Sequence, residues 1–279
     1  MERIKQAIEK NKKNQNQDRN VLAPSQVIQN NPPIQISTAK QNELEEIEYR
    51  QTRVVQLNLE HLGKNRVVAF NKYDAMSINF DLLRTQVLQK MHENGWRTLA
   101  ITSPAPEAGK TVVAINLAMS ISQQTNKTVM LVDFDLRRPK VGTYLGLPME
   151  KSLNDLLDDT ANLSEVLVNP DMPRLVVLAT KTSVRNSSET LSSQKISDLV
   201  KDLRQRYESR IVIFDLPPVL VIDDALALLP QIDCVLMVVA NGMSTKREIE
   251  DSHKLIPTEK LVGTVFNKAE LKLADNYYN

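Results

Sequence analysis

Residues 98–122 read TLAITSPAPEAGKTVVAINLAMSIS, and the fold turns on this stretch. The apolar run TLAITS breaks at Pro104 and Pro106, passes through Gly109, Lys110 and Thr111, and resumes with apolar residues at helical spacing. A strand that becomes a helix through such a loop directs backbone N–H groups and the positive end of the helix dipole at one point, which is a seat for phosphate. Lys110 adds a point charge suited to β and γ phosphates, and the Thr111 hydroxyl is suited to Mg2+. The pattern G-x-x-x-x-G-K-[ST] is incomplete, because Pro104 stands at its first glycine.

Five further apolar runs lie downstream: TVMLVDFD (128–135), RLVVLA (174–179), RIVIFD (210–215), CVLMVVA (234–240) and LVGTVF (261–266). Helical patterns such as QKISDLVKDLRQRY (194–207) and TKREIEDSHKLI (245–256) separate them. Runs of Val, Ile and Leu without polar alternation mark strands buried on both faces, so the chain reads as an α/β protein with a mainly parallel sheet flanked by helices. Two of the runs end in acids, Asp133 with Asp135, and Asp215. At the C-terminal ends of parallel strands these carboxylates face the same crevice as the phosphate loop. There they are suited to hold Mg2+ and to orient or accept a proton from an attacking hydroxyl.

Upstream, residues 75–91 read as one amphipathic helix with Ile78, Leu82, Leu83 and Val87 among its apolar positions. Residues 43–74 form a connecting segment. Before it, Asn and Gln make up 13 of the 32 residues from Asn11 to Asn42, with Pro24, Pro32 and Pro33 among them, a composition that buries too little apolar surface to offset chain entropy. Residues 1–42 therefore read as a short helix, MERIKQAIEK, followed by a flexible polar arm.

Composition narrows the function. The chain has 7 glycines among 279 residues, well under the usual ~7%, which excludes glycine-rich architectures. A net charge of +1 and 4% aromatics argue against a nucleic-acid surface. No apolar run approaches the ~20 residues of a membrane-spanning helix and the N-terminus is too polar for a signal peptide, so the expected location is cytoplasmic. Cys234, the single cysteine, lies in an apolar run and reads as a core position in a reducing compartment. His61, His92 and His253 are dispersed and read as packing or surface residues. No G-x-S-x-G elbow is present for a serine nucleophile.

The three motifs, in this order and spacing, resemble those of bacterial tyrosine kinases, a P-loop family built on a MinD/ParA-like ATPase fold. Pro106 matches the proline that the family carries three residues before its G-K-[ST] glycine. Asp133, Asp135 and Arg137 match its D-x-D-x-R motif, and Asp215 with Pro217 its D-x-P motif. The resemblance covers residues 75–270 and implies ATP and Mg2+ as cofactors. ATP would be held by Ala105, Pro106, Glu107, Ala108, Gly109, Lys110 and Thr111, with Asn267 placed where related folds read the base. It implies Thr111 and Asp215 at the metal, Lys110 and Asp135 in catalysis, and Asp133 assisting deprotonation of the acceptor tyrosine. The acceptors it implies form a C-terminal cluster, here Tyr277 and Tyr278 in the tail 271–279. The 12 residues after Asn267 extend at most ~40 Å, so length alone permits transfer within or between chains.

The start of the chain, its polar linker and the patch VVQLNLEHL (54–62) resemble the stand-alone autokinases of exopolysaccharide loci. That resemblance implies a membrane-anchored chain-length regulator as partner, through its cytosolic segment, and self-association for phosphorylation between subunits. Three features depart from the family. Its E-x-x-R-x-x-R oligomerisation motif falls on Ile78, Asp81 and Arg84, keeping only the last residue; the tail has only two tyrosines; and Glu107 sets an acid beside the expected phosphates. Two other functions use the same motifs, a ParA/MinD-like switch ATPase and a non-catalytic ATP-binding scaffold. Ala105 stands where the switch ATPases carry a second lysine.

Overall fold

The computed structural model describes residues 52–124, 127–207 and 209–269. The short N-terminal helix, the polar arm and the tail tyrosines Tyr277 and Tyr278 lie outside them. Six strands coincide with the six apolar runs: β2 (Thr98–Thr102), β3 (Thr128–Asp133), β5 (Leu175–Leu178), β6 (Arg210–Asp215), β7 (Cys234–Ala240) and β8 (Leu261–Asn267). Two further strands, β1 (Arg53–Val54) and β4 (Leu167–Asn169), join them in an eight-stranded sheet of order β1-β4-β5-β3-β6-β2-β7-β8. Every neighbouring pair is parallel except β4 and β5, which run antiparallel. Strands β2, β3 and β7 are buried along their whole length, as continuous apolar runs covered on both faces must be.

The helices divide between the two faces. On one side lie α1 (Leu59–Lys64), α2 (Ser77–Glu93), α3 (Lys110–Ser122) and α4 (Val141–Leu145). On the other lie α5 (Leu153–Leu157), α6 (Leu163–Val166), α7 (Ser187–Leu191), α8 (Gln194–Gln205), α9 (Asp224–Leu228) and α10 (Lys246–Leu255). Helix α3 is buried almost all round, which its sequence permits because polar residues there are small or bonded.

The helix expected over 75–91 forms as α2, and two of its four named apolar positions turn inward: Val87 is buried and Leu83 packs on the core. Ile78 and Leu82 are 52% and 60% exposed. Ser77, Val87 and Met91 are buried, Phe80, Leu83 and Leu88 pack beside them, and Asp81 and Arg84 lie half-buried along the same side. Asp81 accepts from Arg84 within the helix and from the Ser120 hydroxyl of α3, each at 2.6 Å, and Arg84 also donates to the Ser120 carbonyl, while its buried Nε has no partner among the described residues.

The segment 43–74 carries β1 and α1 and then a strap bound to α3. Buried Asn116 accepts from the amides of Val68 and Ala69 at 2.7 and 2.9 Å and donates to the carbonyls of Arg66 and Val112. Replacing it by leucine leaves the amides of Val68 and Ala69 and the carbonyl of Arg66 without this partner, while the Val112 carbonyl keeps its bond within the helix. The expected cost is about 3–5 kcal/mol, read as a fall in the urea midpoint at unchanged slope.

Candidate functional site

The loop between β2 and α3 is shaped by residues that accept unusual backbone. Gly109 has φ 91° and caps α3, a left-handed conformation that costs an L side chain dearly. A Cβ there would also stand 2.2 Å from Nδ2 of Asn267. Glu107 adopts φ 63° with its side chain in solvent, so the loop holds a second left-handed residue that is not glycine. Pro104 and Ala108 are buried, and the Ser103 hydroxyl donates to the Ala105 carbonyl at 2.7 Å, folding the loop back on its strand. The Val219 amide donates to the Ser103 carbonyl, tying the segment after β6 to the same loop.

The three acids converge here through strand register. Asp133 and Asp215 are direct partners across β3 and β6. The residues beside them, Phe134 and Phe214, stack fully buried with ring centroids 5.2 Å apart and planes 13° from parallel. Lys110 reaches from the first turn of α3 to Oδ2 of Asp135 at 2.7 Å and stands 3.8 Å from Oδ1 of Asp215. Thr111 donates its hydroxyl to Oδ2 of Asp215 at 2.7 Å. Oδ2 of Asp133 accepts the amides of Lys140 and Val141, both at 3.0 Å, and Oδ1 of Asp135 accepts the amide of Arg138. Turns in the following loop thus aim both carboxylates.

The electrostatics follow from burial. Burial, reinforced by the charge of Asp215, raises the Asp133 carboxyl well above its ordinary range, against the pull of the Val141 amide and Lys110. Burial also pushes Asp215 up to about 6 despite Lys110 and the Thr111 hydroxyl. Lys110 loses from burial but gains more from Asp215, Asp135 and Asp133, and its ammonium is held above its usual value. The Lys110 ammonium pairs with two of these three carboxylates, those of Asp135 and Asp215. Oδ1 of Asp215 is buried and accepts no hydrogen bond. An excess of buried negative charge with an orphaned oxygen beside a hydroxyl is an oxygen-donor set suited to a hard divalent cation. Among the described residues no three His, Cys, Asp or Glu side chains close into a metal cage.

The expected residues divide accordingly. Ala105, Pro106, Glu107, Ala108, Gly109, Lys110 and Thr111 form the loop, and Asp133, Asp135 and Asp215 stand beside it. Asn267 is brought to the same place, its Nδ2 donating to the Ala108 carbonyl at 2.8 Å. Arg137 points elsewhere: its Nε donates to the Ser187 hydroxyl at 2.8 Å and lies 3.6 Å from buried Asp224. Ser187 and Asp224 carry no local sequence signal, being far from Arg137 along the chain. The Thr180 hydroxyl, which donates to the Asp133 carbonyl at 2.6 Å, was equally silent. Cys234 is buried in β7, and burial drives its thiol far up, leaving it inert. His61 sets Nε2 2.8 Å from the Thr143 carbonyl, fixing α1 on α4, well away from chemistry. No helix among the described residues is long and apolar enough to cross a membrane.

The family described as AAA domain matches residues 97–268. The tyrosine-protein kinase ptk of Acinetobacter johnsonii is 34% identical over 153 residues, 54% of this chain. The chain spans only 20% of that longer relative. The tyrosine-protein kinase YwqD of Bacillus subtilis is 29% identical over 203 residues, 72% of this chain and 84% of the relative. Among solved structures, the crystal structure of the chimerical protein CapA2B2 superposes with a TM-score of 0.67 at 27% identity, covering 78% of this chain and 93% of that one. The P-loop fold of the matched domain implies nucleotide binding.

Proposed function

Because the chain belongs to the AAA-domain family over residues 97–268, we propose that it is an ATP- and Mg2+-dependent protein-tyrosine autokinase of exopolysaccharide synthesis, phosphorylating Tyr277 and Tyr278. The observation that carries this reading is the meeting of Lys110, Thr111, Asp133, Asp135 and Asp215 around one loop, in a chain similar to proteins named tyrosine-protein kinases.

Each residue has a task its surroundings support. The loop 105–109 cradles phosphates with backbone N–H groups, and Lys110 lays a positive charge on them. Thr111 and Asp215 hold Mg2+, which when bound neutralises charge developing on the transferred phosphoryl group. Asp135, paired with Lys110, keeps that ammonium charged and aimed. Asp133 takes the proton of the acceptor hydroxyl, a task helped by its raised affinity for protons. Phosphorylation between neighbouring copies and activation by the cytosolic segment of a membrane-anchored chain-length regulator complete the reading. Ala105 in place of a second loop lysine favours a kinase over a switch ATPase.

Phosphopeptide mass spectrometry after incubation with Mg-ATP tests activity and acceptor together. Phosphate is expected on Tyr277 and Tyr278, and the Tyr277→Phe/Tyr278→Phe chain is expected to lose nearly all label from radioactive ATP. Undiminished labelling would remove the tail acceptors. Phosphate release without any phosphotyrosine, even with the partner's cytosolic segment present, would leave a switch ATPase instead.

A further inference from the structure

Asn267 ends β8, the last strand of the sheet, yet its side chain acts on the loop between β2 and α3. Its Nδ2 donates to the carbonyl of Ala108 at 2.8 Å and fills the space beside Gly109 that a Cβ would need. The amide of Asn241 donates to the Asn267 carbonyl at 2.9 Å, pinning the end of β8 to the loop that follows β7, and Lys268 then turns the chain away at φ 57°. A rigid strand end therefore presses one amide group against two consecutive residues of the phosphate loop.

The consequence lies in the peptide joining Ala108 to Gly109. A planar trans peptide directs its C=O and N–H to opposite sides. With the Ala108 carbonyl held on Asn267, the Gly109 N–H is turned away from Asn267, and flipping this peptide would break the 2.8 Å bond. Gly109, free of a Cβ at φ 91°, is the residue that lets the amide group approach. We propose that Asn267 is a positioning residue of the phosphate loop, locking the 108–109 peptide with its N–H toward the bound phosphates, so that its contribution to affinity is independent of the base. This rests on the nucleotide-binding reading of the site.

Calorimetric titration of the full chain with Mg-ATP, Mg-GTP and Mg-tripolyphosphate separates loop positioning from base reading. Asn267→Asp keeps the shape and replaces the donor by an acceptor facing a carbonyl. It is expected to weaken all three ligands by the same factor, roughly tenfold, and Asn267→Ala by a smaller common factor of about three to five. Thermal unfolding close to that of the wild type shows that the loss is local, and the alanine variant carries the comparison if the aspartate variant does not fold. A loss confined to ATP with tripolyphosphate unchanged overturns the proposal in favour of a base contact, and unchanged binding of all three overturns it outright. Wild-type binding of tripolyphosphate, with no phosphotyrosine formed from Mg-ATP even when the partner's cytosolic segment is present, removes the kinase reading and leaves this inference standing.

Discussion

Lys110→Met is expected to lower phosphotyrosine formation about 10²–10³-fold and to destabilise the fold at neutral pH. The first effect is the loss of a fixed charge where negative charge develops, a contribution of that size in comparable sites. The second is particular to this cluster. Lys110 sits 2.7 Å from Asp135 and 3.8 Å from Asp215, and without it three buried carboxylates face one another. Removing one partner of a buried pair typically costs about 3–5 kcal/mol, because the other is left charged in a dry site. The variant relieves this by binding protons, so its unfolding temperature should recover as the pH falls. Labelling by radioactive ATP and thermal unfolding without nucleotide measure the two effects. Activity within threefold of wild type, or an unfolding temperature equally depressed at acid and neutral pH, would contradict this account.

Asp215→Asn should lose activity by about 10²-fold, since a metal ligand supplies several kcal/mol at ~1.4 kcal/mol per tenfold, yet gain stability. Its carboxyl has an ordinary value of 3.8 and is raised to about 6 in the fold by burial. A group that holds its proton more tightly when folded adds stability below its unfolded value, and that stability drains away as pH rises through the folded value. At pH 7.5 the charged carboxylate therefore costs the fold up to about 3 kcal/mol, at ~1.4 kcal/mol per unit. Asparagine removes the charge and keeps an oxygen for the Thr111 hydroxyl. In EDTA and without nucleotide the variant should melt roughly 5 °C above wild type at pH 7.5, with the gap closing toward pH 4. A gap that does not change with pH would show that the gain has another cause. One cluster thus gives opposite stability effects, according to whether its cation or one of its acids is removed.

The parts that sequence made legible are those where one physical cause dominates. Five of the six long strands announce themselves because burial on both faces demands unbroken apolar runs, and the acids at two of their ends follow from parallel topology; β8, expected to be buried on both faces, is instead an edge strand that leaves Thr264 and Phe266 exposed. β1 and β4 are only two and three residues long, too short to carry a pattern, and they lie toward one edge of the sheet. In α2 the apolar rule places Val87 and Leu83 correctly but misses Ile78 and Leu82, which stay exposed while Asp81 and Arg84 are drawn partly inward by Ser120. The site itself was legible down to Asn267, but its bond to the Ala108 carbonyl joins segments 159 residues apart and has no local trace. The holders of Arg137 and the hydroxyl of Thr180 belong to the same class, long-range polar contacts that only folding creates.

The stacked pair Phe134 and Phe214 gives the catalytic end of the sheet the character of a spacer of fixed thickness. Each ring is covalently one residue from an acid, so the ring contact, with centroids 5.2 Å apart, backs the same strand ends that the Phe134 amide joins by donating to the Asp215 carbonyl at 2.9 Å. Trimming either ring should therefore act like a worn bearing, leaving every polar group present while blurring the alignment on which their cooperation depends.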